Sequence, residues 1–159
     1  MITAAVLTIS DSCSAGTRED VSGPALRARC EELGWTVASH AVIPDDYAAI
    51  TQLLHEWADS EDVKLVLTTG GTGPAPRDIT PEATRAVIER ELPGLAELIR
   101  AEGRKRTKYS ALSRGLAGSR GQTLIVNLPG SPRGAIESLD TIADLVPHIL
   151  DLLAGRTEH

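Results

Sequence analysis

Residues 65–82 read LVLTTGGTGPAPRDITPE, and the predicted fold is built outward from this stretch. The apolar run at 65–67 is typical of a buried strand. It enters a glycine turn at 70–73, passes the Arg77-Asp78 pair and reaches Thr80-Pro81-Glu82, a sequence typical of a helix start. We therefore predict a strand-to-helix connection whose glycine turn could hold a phosphate group.

The length and composition of the chain indicate an ordinary globular protein. With 159 residues it falls in the usual range of one domain, and we expect a single domain over residues 1–159. A hydrophobic content of 42% with 24% charged residues excludes a disordered chain. Because Phe is absent, the core must be built from Leu, Ile, Val and Ala, which suits a helix-covered sheet.

Charge, cysteine content and hydropathy argue against several function classes. The net charge of −6 argues against nonspecific binding of nucleic acid. Cys13 and Cys30 are too few and too poorly spaced for a disulfide framework or a zinc site. No stretch approaches membrane-spanning length, and residues 1–10 lack the positive charges of a signal peptide. We expect a cytoplasmic protein that binds neither nucleic acid nor membrane.

Predicted strands and helices alternate along the chain. The patterns predict strands at 4–9, 35–43, 63–69 and 123–128. They predict helices from 22 or 23 to 33, at 47–59, from Thr80 as N-cap, from 93, and at roughly 133–153. Residues 103–121 are expected to be irregular, with a short helical piece near 110–114, and residues 10–16 to form a loop. Such alternation indicates parallel βαβ units.

Each predicted strand ends in a polar or glycine-rich turn. These turns are Ser10–Gly16, Pro44-Asp45-Asp46, Gly70–Asp78 and Asn127–Pro132. In a parallel sheet, ligands bind at the carboxyl ends of the strands. We therefore expect the four turns to gather along one edge of the sheet and to form a site there.

Glycine and aspartate are the residue types in these turns that could handle phosphate. Gly70, Gly71 and Gly73 permit positive φ, and their N–H groups could cradle phosphate oxygens. Asp45 and Asp78, from neighbouring turns, could hold Mg²⁺ against a triphosphate. The alternatives are a tight connection without ligand for the glycines and ordinary turn or cap roles for the aspartates, Asp11 included.

Basic residues are concentrated in one segment of the chain. Seven of the sixteen Lys and Arg residues lie within residues 100–120. This cluster fits either a solvated surface or an anion-binding rim over the site. The sequence suggests neither a Ser-His-Asp set nor a Cys-His pair, so covalent catalysis is not expected.

These motifs resemble the molybdopterin-binding family of molybdenum-cofactor biosynthesis, specifically the Mog and MoaB group. The resemblance covers essentially the whole chain, and the motifs keep the family order. The matching pieces are Thr8–Asp11 with Gly16, Ser22-Gly23-Pro24, Ile43-Pro44-Asp45, Thr68–Gly73, Arg77–Thr84, Pro93-Gly94-Leu95, Leu112-Ser113-Arg114 and Asn127–Pro132.

The resemblance implies a fold, an activity and partners. The fold would be a three-layer α/β/α sandwich with a mostly parallel sheet, commonly assembled as a homotrimer. The activity would be molybdopterin adenylyltransfer, in which ATP and molybdopterin give adenylyl-molybdopterin and pyrophosphate with Mg²⁺ as cofactor. A separate molybdate insertase is a further expected partner. A MoaB-type binder of pterin or nucleotide with little turnover, or a nucleotide-binding regulatory domain, are the alternatives.

The resemblance also implies residue roles. Asp45 and Asp78 would be the catalytic carboxylates and the ligands of Mg²⁺. The expected substrate-binding residues are Ser10, Asp11, Ser14, Gly16, Thr69, Gly70, Gly71, Thr72, Gly73, Arg77, Ser113, Asn127, Pro129, Gly130 and Ser131. No protein nucleophile is needed, because positioning and charge neutralisation carry most of such a transfer.

Overall fold

A mixed β-sheet of six strands forms the middle layer of the structure, a computed structural model that describes residues 1–157. The spatial order is β2-β1-β3-β6-β5-β4. The first four strands in this order are parallel to one another. β5 pairs antiparallel with β6, and β4 pairs antiparallel with β5. The strands are β1 (Thr3–Ile9), β2 (Thr36–Ile43), β3 (Leu65–Thr69), β4 (Arg90–Glu91), β5 (Ala117–Arg120) and β6 (Thr123–Leu128).

Helices cover both faces of the sheet. One face packs against α2, α5, α6 and α7, and the other against α3 and α4. This confirms the predicted three-layer arrangement. None of the helices in the described part of the chain has the length and apolar character needed to span a bilayer. The helices are α1 (Asp11–Ser14), α2 (Ser22–Glu32), α3 (Tyr47–Asp59), α4 (Thr80–Val87), α5 (Pro93–Arg104), α6 (Pro132–Ile142) and α7 (Val146–Leu153).

The continuous apolar runs of β1 and β3 follow from their central position. Successive side chains of a strand point to opposite faces, so each strand supplies both helical layers. In β3, Leu67 packs in the cluster beneath α2 and α6, while its neighbour Val66 packs in the cluster beneath α3 and α4. Both residues are fully buried. Burial on both faces favours apolar residues at successive positions, which is why the strands contain continuous apolar runs and show no alternation.

The prediction of one helix at 133–153 is wrong, because the structure has two helices in this segment. α6 ends at Ile142, and α7 begins at Val146 with Pro147 in its first turn. Proline has no N–H to donate to a preceding turn, so it is tolerated at a helix start and disfavoured in a helix interior. The apolar spacing continues across the break because both helices bury the same cluster.

The segment 103–121 is more regular than predicted. It contains a 3₁₀ helix, Lys108–Leu112, and strand β5, whose sequence AGSR has no β-branched residue. Pairing with β6 makes it a strand, and the paired two-residue β4 completes that edge. The expected loop at 10–16 likewise contains the one-turn helix α1, whose N-cap Ser10 accepts from Cys13 N–H.

Thr80 is not the N-cap of α4. The capping position is Ile79, and no side chain caps the helix. The Thr80 hydroxyl instead donates to the carbonyl of Gly70 at 2.9 Å, and the Thr80 N–H donates to the carbonyl of Gly71 at 3.1 Å. The residue therefore anchors the glycine turn to the start of α4.

A prediction concerns Asn127, whose buried amide joins three parts of the fold. Its Nδ2 donates to the Thr68 and Thr84 hydroxyls, and its Oδ1 accepts from Leu116 N–H. The substitution Asn127→Ala leaves these groups buried without partners, so we expect a loss of about 2–4 kcal/mol in the free energy of unfolding. Urea denaturation measures it.

The matched control is Gln122→Ala in the exposed β5–β6 turn, which should stay within about 0.5 kcal/mol of wild type. An Asn127→Ala variant as stable as that control would contradict the assigned role of the amide.

Candidate functional site

A cavity of about 440 Å³ opens at the carboxyl edge of the parallel strands. It is lined by residues from the ends of β1 and β3 and from the turns that follow β1, β2, β3 and β6. The predicted gathering of four turns at one edge is therefore confirmed. The site is built where successive parallel strands deliver their loops to the same side.

Asp11 and Asp45 connect the turns after β1 and β2 by a reciprocal exchange. The Asp11 N–H donates to Asp45 Oδ2 at 3.0 Å, and the Asp45 N–H donates to Asp11 Oδ1 at 3.0 Å. Each carboxylate thus satisfies the backbone of the other turn. The exchange holds the Asp45 carboxylate at the cavity wall, while Asp11 itself does not line the cavity.

Arg77 reaches from the β3–α4 loop to the same pair. Its Nε and Nη2 both donate to the Asp11 carboxylate at 2.9 Å, a two-pronged contact that fixes the guanidinium plane. The hydrogen bond from Arg77 and that from the Asp45 backbone lower the pKa of Asp11 below its ordinary value. Arg77 is consequently committed to a protein carboxylate and does not line the cavity.

The pKa of Asp45 is shifted in the opposite direction to that of Asp11. Burial raises its pKa above the ordinary value, and the nearby negative charges of Asp11 and Asp78 act in the same direction. The hydrogen bond from Asp11 N–H opposes this shift without cancelling it. Burial and the neighbouring negative charges destabilise the charged form of Asp45. A cation that enters the cavity would therefore stabilise that form.

The glycine turn approaches the other turns more closely than any side chain would permit. Gly70 has φ +103°, and a Cβ there would lie 2.3 Å from the carbonyl oxygen of Ile9. Gly71 has φ +68°, and a Cβ there would lie 3.0 Å from Asp45 Oδ1 and 2.2 Å from the Thr80 hydroxyl. Both glycines line the cavity.

The amide groups available to a ligand differ from those expected. The Gly70 N–H is occupied, because it donates to the carbonyl of Leu128 at 3.2 Å. The N–H groups of Gly71, Gly130 and Ser131 donate no hydrogen bond among residues 1–157, and all three residues line the cavity. The possible phosphate cradle is therefore shared between two turns. Gly73 has no positive φ and lies outside the cavity.

Thr69 ties the glycine turn to the turn after β6. Its hydroxyl donates to the carbonyl of Pro129 at 2.6 Å, adjacent to the Gly70–Leu128 hydrogen bond. Gly130 comes close to Gly70 in the same place, since a Cβ on Gly130 would lie 3.3 Å from Gly70 Cα. The two turns are thus joined by hydrogen bonds and close backbone packing.

Asp78 lines the cavity on the far side of the glycine turn, and Arg114 braces its backbone. Arg114 donates to the carbonyls of Gly73 at 2.9 Å and Asp78 at 2.7 Å, and it pairs with Glu82. The hydrogen bond from Arg114 lowers the pKa of Glu82. Asp78 Oδ2 accepts from Ala75 N–H at 3.0 Å, and its Oδ1 accepts no hydrogen bond within the described residues.

Eight of the sequence-predicted site residues meet at the cavity. They are Ser10, Asp45, Thr69, Gly70, Gly71, Asp78, Gly130 and Ser131. The other nine lie outside its wall: Asp11, Ser14, Gly16, Thr72, Gly73, Arg77, Ser113, Asn127 and Pro129. Of these, Ser113 lines a separate cavity of about 260 Å³, and Asn127 is buried with its amide fully engaged.

Sequence reasoning missed the wall that precedes α2. The additional lining residues are Thr8, Ile9, Cys13, Arg18, Glu19, Asp20, Val21, Ser22 and Pro132. Five of these nine residues, 18–22, follow one another directly, from the segment after α1 to the first residue of α2. The signal was present in the polar, charged run Arg18-Glu19-Asp20, which no strand or helix pattern explained.

The basic segment 100–120 contributes nothing to the cavity wall. Five of its seven cations bind protein groups: Arg100, Lys105, Arg106, Arg114 and Arg120. The pairs of Lys105 and Arg106 lie on the surface, whereas Arg114 braces the glycine turn. Of the two alternatives, these contacts favour surface and bracing roles over an anion-binding rim.

A cavity at the carboxyl edge of a mostly parallel sheet, with two carboxylates beside unused amides, defines an α/β ligand-binding domain equipped for phosphate. Residues 5–148 match the family described as "Probable molybdopterin binding domain", and the chain belongs to that family. The family resemblance seen in the sequence is confirmed.

Individual relatives support this membership. The chain is 40% identical over 153 residues to the molybdopterin adenylyltransferase of Helicobacter pylori, covering 95% of this chain and 87% of the relative. It is 49% identical over 156 residues to the molybdenum cofactor synthesis protein cinnamon of Drosophila melanogaster. That match covers 96% of this chain but spans only 26% of the relative's length.

Solved structures agree in fold. The crystal structure of the molybdopterin biosynthesis enzyme MoaB from Thermus thermophilus superposes with a TM-score of 0.92 at 49% identity, covering 98% of both chains. The Mog protein from Mycobacterium ulcerans superposes with a TM-score of 0.89 at 39% identity, covering 96% of this chain and 99% of the other.

The raised pKa of Asp45 generates a prediction about stability and pH. The folded protein holds the proton of the Asp45 carboxyl group more tightly than the unfolded chain does. The wild type therefore loses stability as pH rises through the raised pKa. Asp45→Asn removes the titration and keeps an oxygen for Asp11 N–H. We expect the variant to be at least as stable as wild type at neutral pH, with an advantage that shrinks on acidification.

Urea denaturation midpoints between about pH 3 and pH 7 measure this difference. Asp11→Asn is the matched control with the opposite sign, since the lowered pKa of Asp11 stabilises the fold at neutral pH and is lost as pH falls through it. An Asp45→Asn variant less stable than wild type at neutral pH would contradict the conclusion that burial raises the pKa of Asp45.

Arg114 generates a second prediction. Removing its hydrogen bonds to Gly73, Asp78 and Glu82 by Arg114→Ala should loosen the glycine turn, so amide hydrogen exchange at residues 71–79 should accelerate. The pKa of Glu82 should also rise. Mass spectrometry of exchange and NMR titration measure the two effects.

The control is Arg27→Ala, which removes an exposed i,i+4 ion pair with Glu31 and touches no loop of the site. Equal exchange at 71–79 in both variants would show that Arg114 does not brace the turn.

Proposed function

We propose that the protein is a Mg²⁺-dependent molybdopterin adenylyltransferase, which transfers AMP from ATP to the phosphate of molybdopterin and releases pyrophosphate. The observation that carries this proposal is the meeting of Asp45 and Asp78 with the unused amides of Gly71, Gly130 and Ser131 in one cavity. The names of the relatives from Helicobacter pylori and Escherichia coli, both molybdopterin adenylyltransferases, supply the reaction.

The residues present fit Mg²⁺. This ion binds one or two protein carboxylates and completes its shell with water and substrate phosphates. Asp45 and Asp78 each accept a backbone hydrogen bond on Oδ2 and keep Oδ1 unused in the described part of the chain. No group of three or more His, Cys, Asp or Glu side chains there could hold a metal alone. A site completed by substrate suits this pair of carboxylates.

The chain's own groups would position two phosphorylated substrates. An oxygen of the molybdopterin phosphate attacks the α-phosphorus of ATP, and the bond from that phosphorus to the bridging oxygen of pyrophosphate breaks. The amides of Gly71, Gly130 and Ser131 donate hydrogen bonds to phosphate oxygens, where charge builds up during transfer. Bound Mg²⁺ would be held by Asp45 and Asp78 and would neutralise phosphate charge.

The rival function is binding without efficient turnover. The Thermus thermophilus structure is named a MoaB protein, and a MoaB-type binder would have the same fold and glycine turn. Adenylylation of molybdopterin by the purified protein, dependent on ATP and Mg²⁺, separates the two. Tight binding of both ligands with no adenylylated product would support the binder.

The homotrimer, contact with a molybdate insertase and cytoplasmic location stay predictions.

The two carboxylates provide the decisive variants. We expect Asp45→Asn and Asp78→Asn each to reduce the adenylylation rate by more than about tenfold, since each removes more than about 1.4 kcal/mol of transition-state stabilisation. Higher Mg²⁺ should recover part of the rate in each variant, and a chelator should abolish the wild-type rate.

The matched control is Asp144→Asn, an exposed carboxylate in the α6–α7 turn and outside the cavity wall. Its rate should equal that of wild type. Wild-type rates in either cavity variant, measured on folded protein, would refute the metal assignment.

A further inference from the structure

We propose that Arg18 is a substrate-contacting residue, whose guanidinium binds a phosphate group of the ligands in the cavity. This inference rests on the proposed function, because it assigns a role within the same site. Arg18 lies between α1 and α2, is exposed, and lines the cavity. Neither the glycine turn nor the matching motifs of the sequence include it.

The charge of the cavity wall creates the need for such a residue. The wall carries four carboxylates, on Glu19, Asp20, Asp45 and Asp78, and one guanidinium, on Arg18. Two phosphorylated ligands entering this wall would meet net repulsion. A metal ion at Asp45 and Asp78 would offset part of this repulsion. On the side of the wall next to α2, Arg18 is the residue whose positive charge could attract a phosphate group.

Arg18 is also the arginine near the site that remains available. Arg77 is committed to Asp11 through two hydrogen bonds, and Arg114 is committed to Glu82 and two backbone carbonyls. The Arg18 side chain makes neither a hydrogen bond nor an ion pair with any other residue of 1–157. A guanidinium offers paired N–H donors that match phosphate oxygens, and that of Arg18 has no acceptor among the described residues.

The chain around Arg18 is anchored on both sides. Before it, the carbonyl of Ser12 accepts from Arg18 N–H at 3.2 Å and from the Thr17 hydroxyl at 3.1 Å. After it, Asp20 accepts from the Thr8 hydroxyl at 2.9 Å and from Gly23 N–H at 3.0 Å.

The second anchor is tightly packed. His40 Nε2 lies 3.2 Å from Asp20 Oδ2, and a Cβ on Gly23 would come within 2.5 Å of the Thr8, Asp20 and His40 side chains. The backbone that carries Arg18 is therefore held against the end of β1. Only the side chain remains to be ordered when phosphate binds, which limits the entropic cost of the contact.

The test compares Arg18→Ala and Arg18→Lys with wild type in two kinds of measurement. Calorimetry with Mg·ATP, with AMP and with molybdopterin, each alone, gives dissociation constants without turnover, and steady-state assays give KM for ATP and for molybdopterin. We expect Arg18→Ala to weaken one ligand by about three- to tenfold, the range of one partly exposed charge-assisted contact. Arg18→Lys should recover part of the loss, because it keeps the charge without the planar fork.

The ligand affected identifies the phosphate. Weaker Mg·ATP binding with unchanged AMP binding assigns Arg18 to the β- and γ-phosphates, and a raised KM for molybdopterin alone assigns it to the pterin phosphate. Arg104→Ala removes an exposed arginine without a described partner at the end of α5 and outside the cavity, and should change neither constant.

Constants within twofold of wild type for both ligands in Arg18→Ala, or equal changes in Arg104→Ala, would overturn the inference. Calorimetry with Mg·ATP, AMP and molybdopterin measures binding apart from product formation. A protein that binds these ligands but makes no adenylylated product would count against the proposed function, while the effect of Arg18→Ala on each dissociation constant would still test the inference. Circular dichroism of each variant verifies the fold.

Discussion

The reciprocal exchange between Asp11 and Asp45 is the contact on which the site depends. Each carboxylate accepts the backbone N–H of the other residue, and Arg77 then binds the outer carboxylate with two donors. Three side chains, Asp11, Asp45 and Arg77, thereby join turns that follow three different strands. The arrangement leaves Asp45 at the cavity wall in a desolvated, negatively charged setting that raises its pKa. The unfavourable electrostatic setting is thus concentrated on one carboxylate, whose own backbone N–H is hydrogen-bonded to Asp11.

Charge balance gives the cavity its chemical character. Its wall carries four carboxylates and one guanidinium, that of Arg18, whereas Arg77 and Arg114, which lie outside the wall, neutralise protein carboxylates and hold backbone in place. An acidic wall with unused amides suits phosphate ligands that arrive with a metal ion, because the ion offsets both sets of negative charge. Without a metal ion, the excess of carboxylates in the wall would repel those ligands, which links the proposed metal dependence to the charge of the site.

Much of the fold could be predicted from local patterns, and two of the errors, at β5 and Thr80, share a physical cause. The bounds of α3 were predicted as observed, and β1 and β6 to within one residue, because apolar residues at helical spacing specify α3 and continuous apolar runs specify the two strands. β5 was missed since its residues acquire strand geometry only by pairing with β6. Thr80 was misassigned as an N-cap because its hydroxyl has a better partner across the turn, the Gly70 carbonyl. Long-range partners overrode local propensity in each case.

The sequence by itself determined the alternating order of strands and helices, the family, and the turns that hold the glycines and carboxylates. It could do so because these features depend on residue types at short spacing. Only the tertiary structure decided which members of those turns reach the cavity: Asp45 and Asp78 do, whereas Asp11 and Asn127 are taken up by protein partners. It also brought Arg18 to the wall. A side chain's availability depends on what lies opposite it, and that neighbour comes from distant parts of the chain.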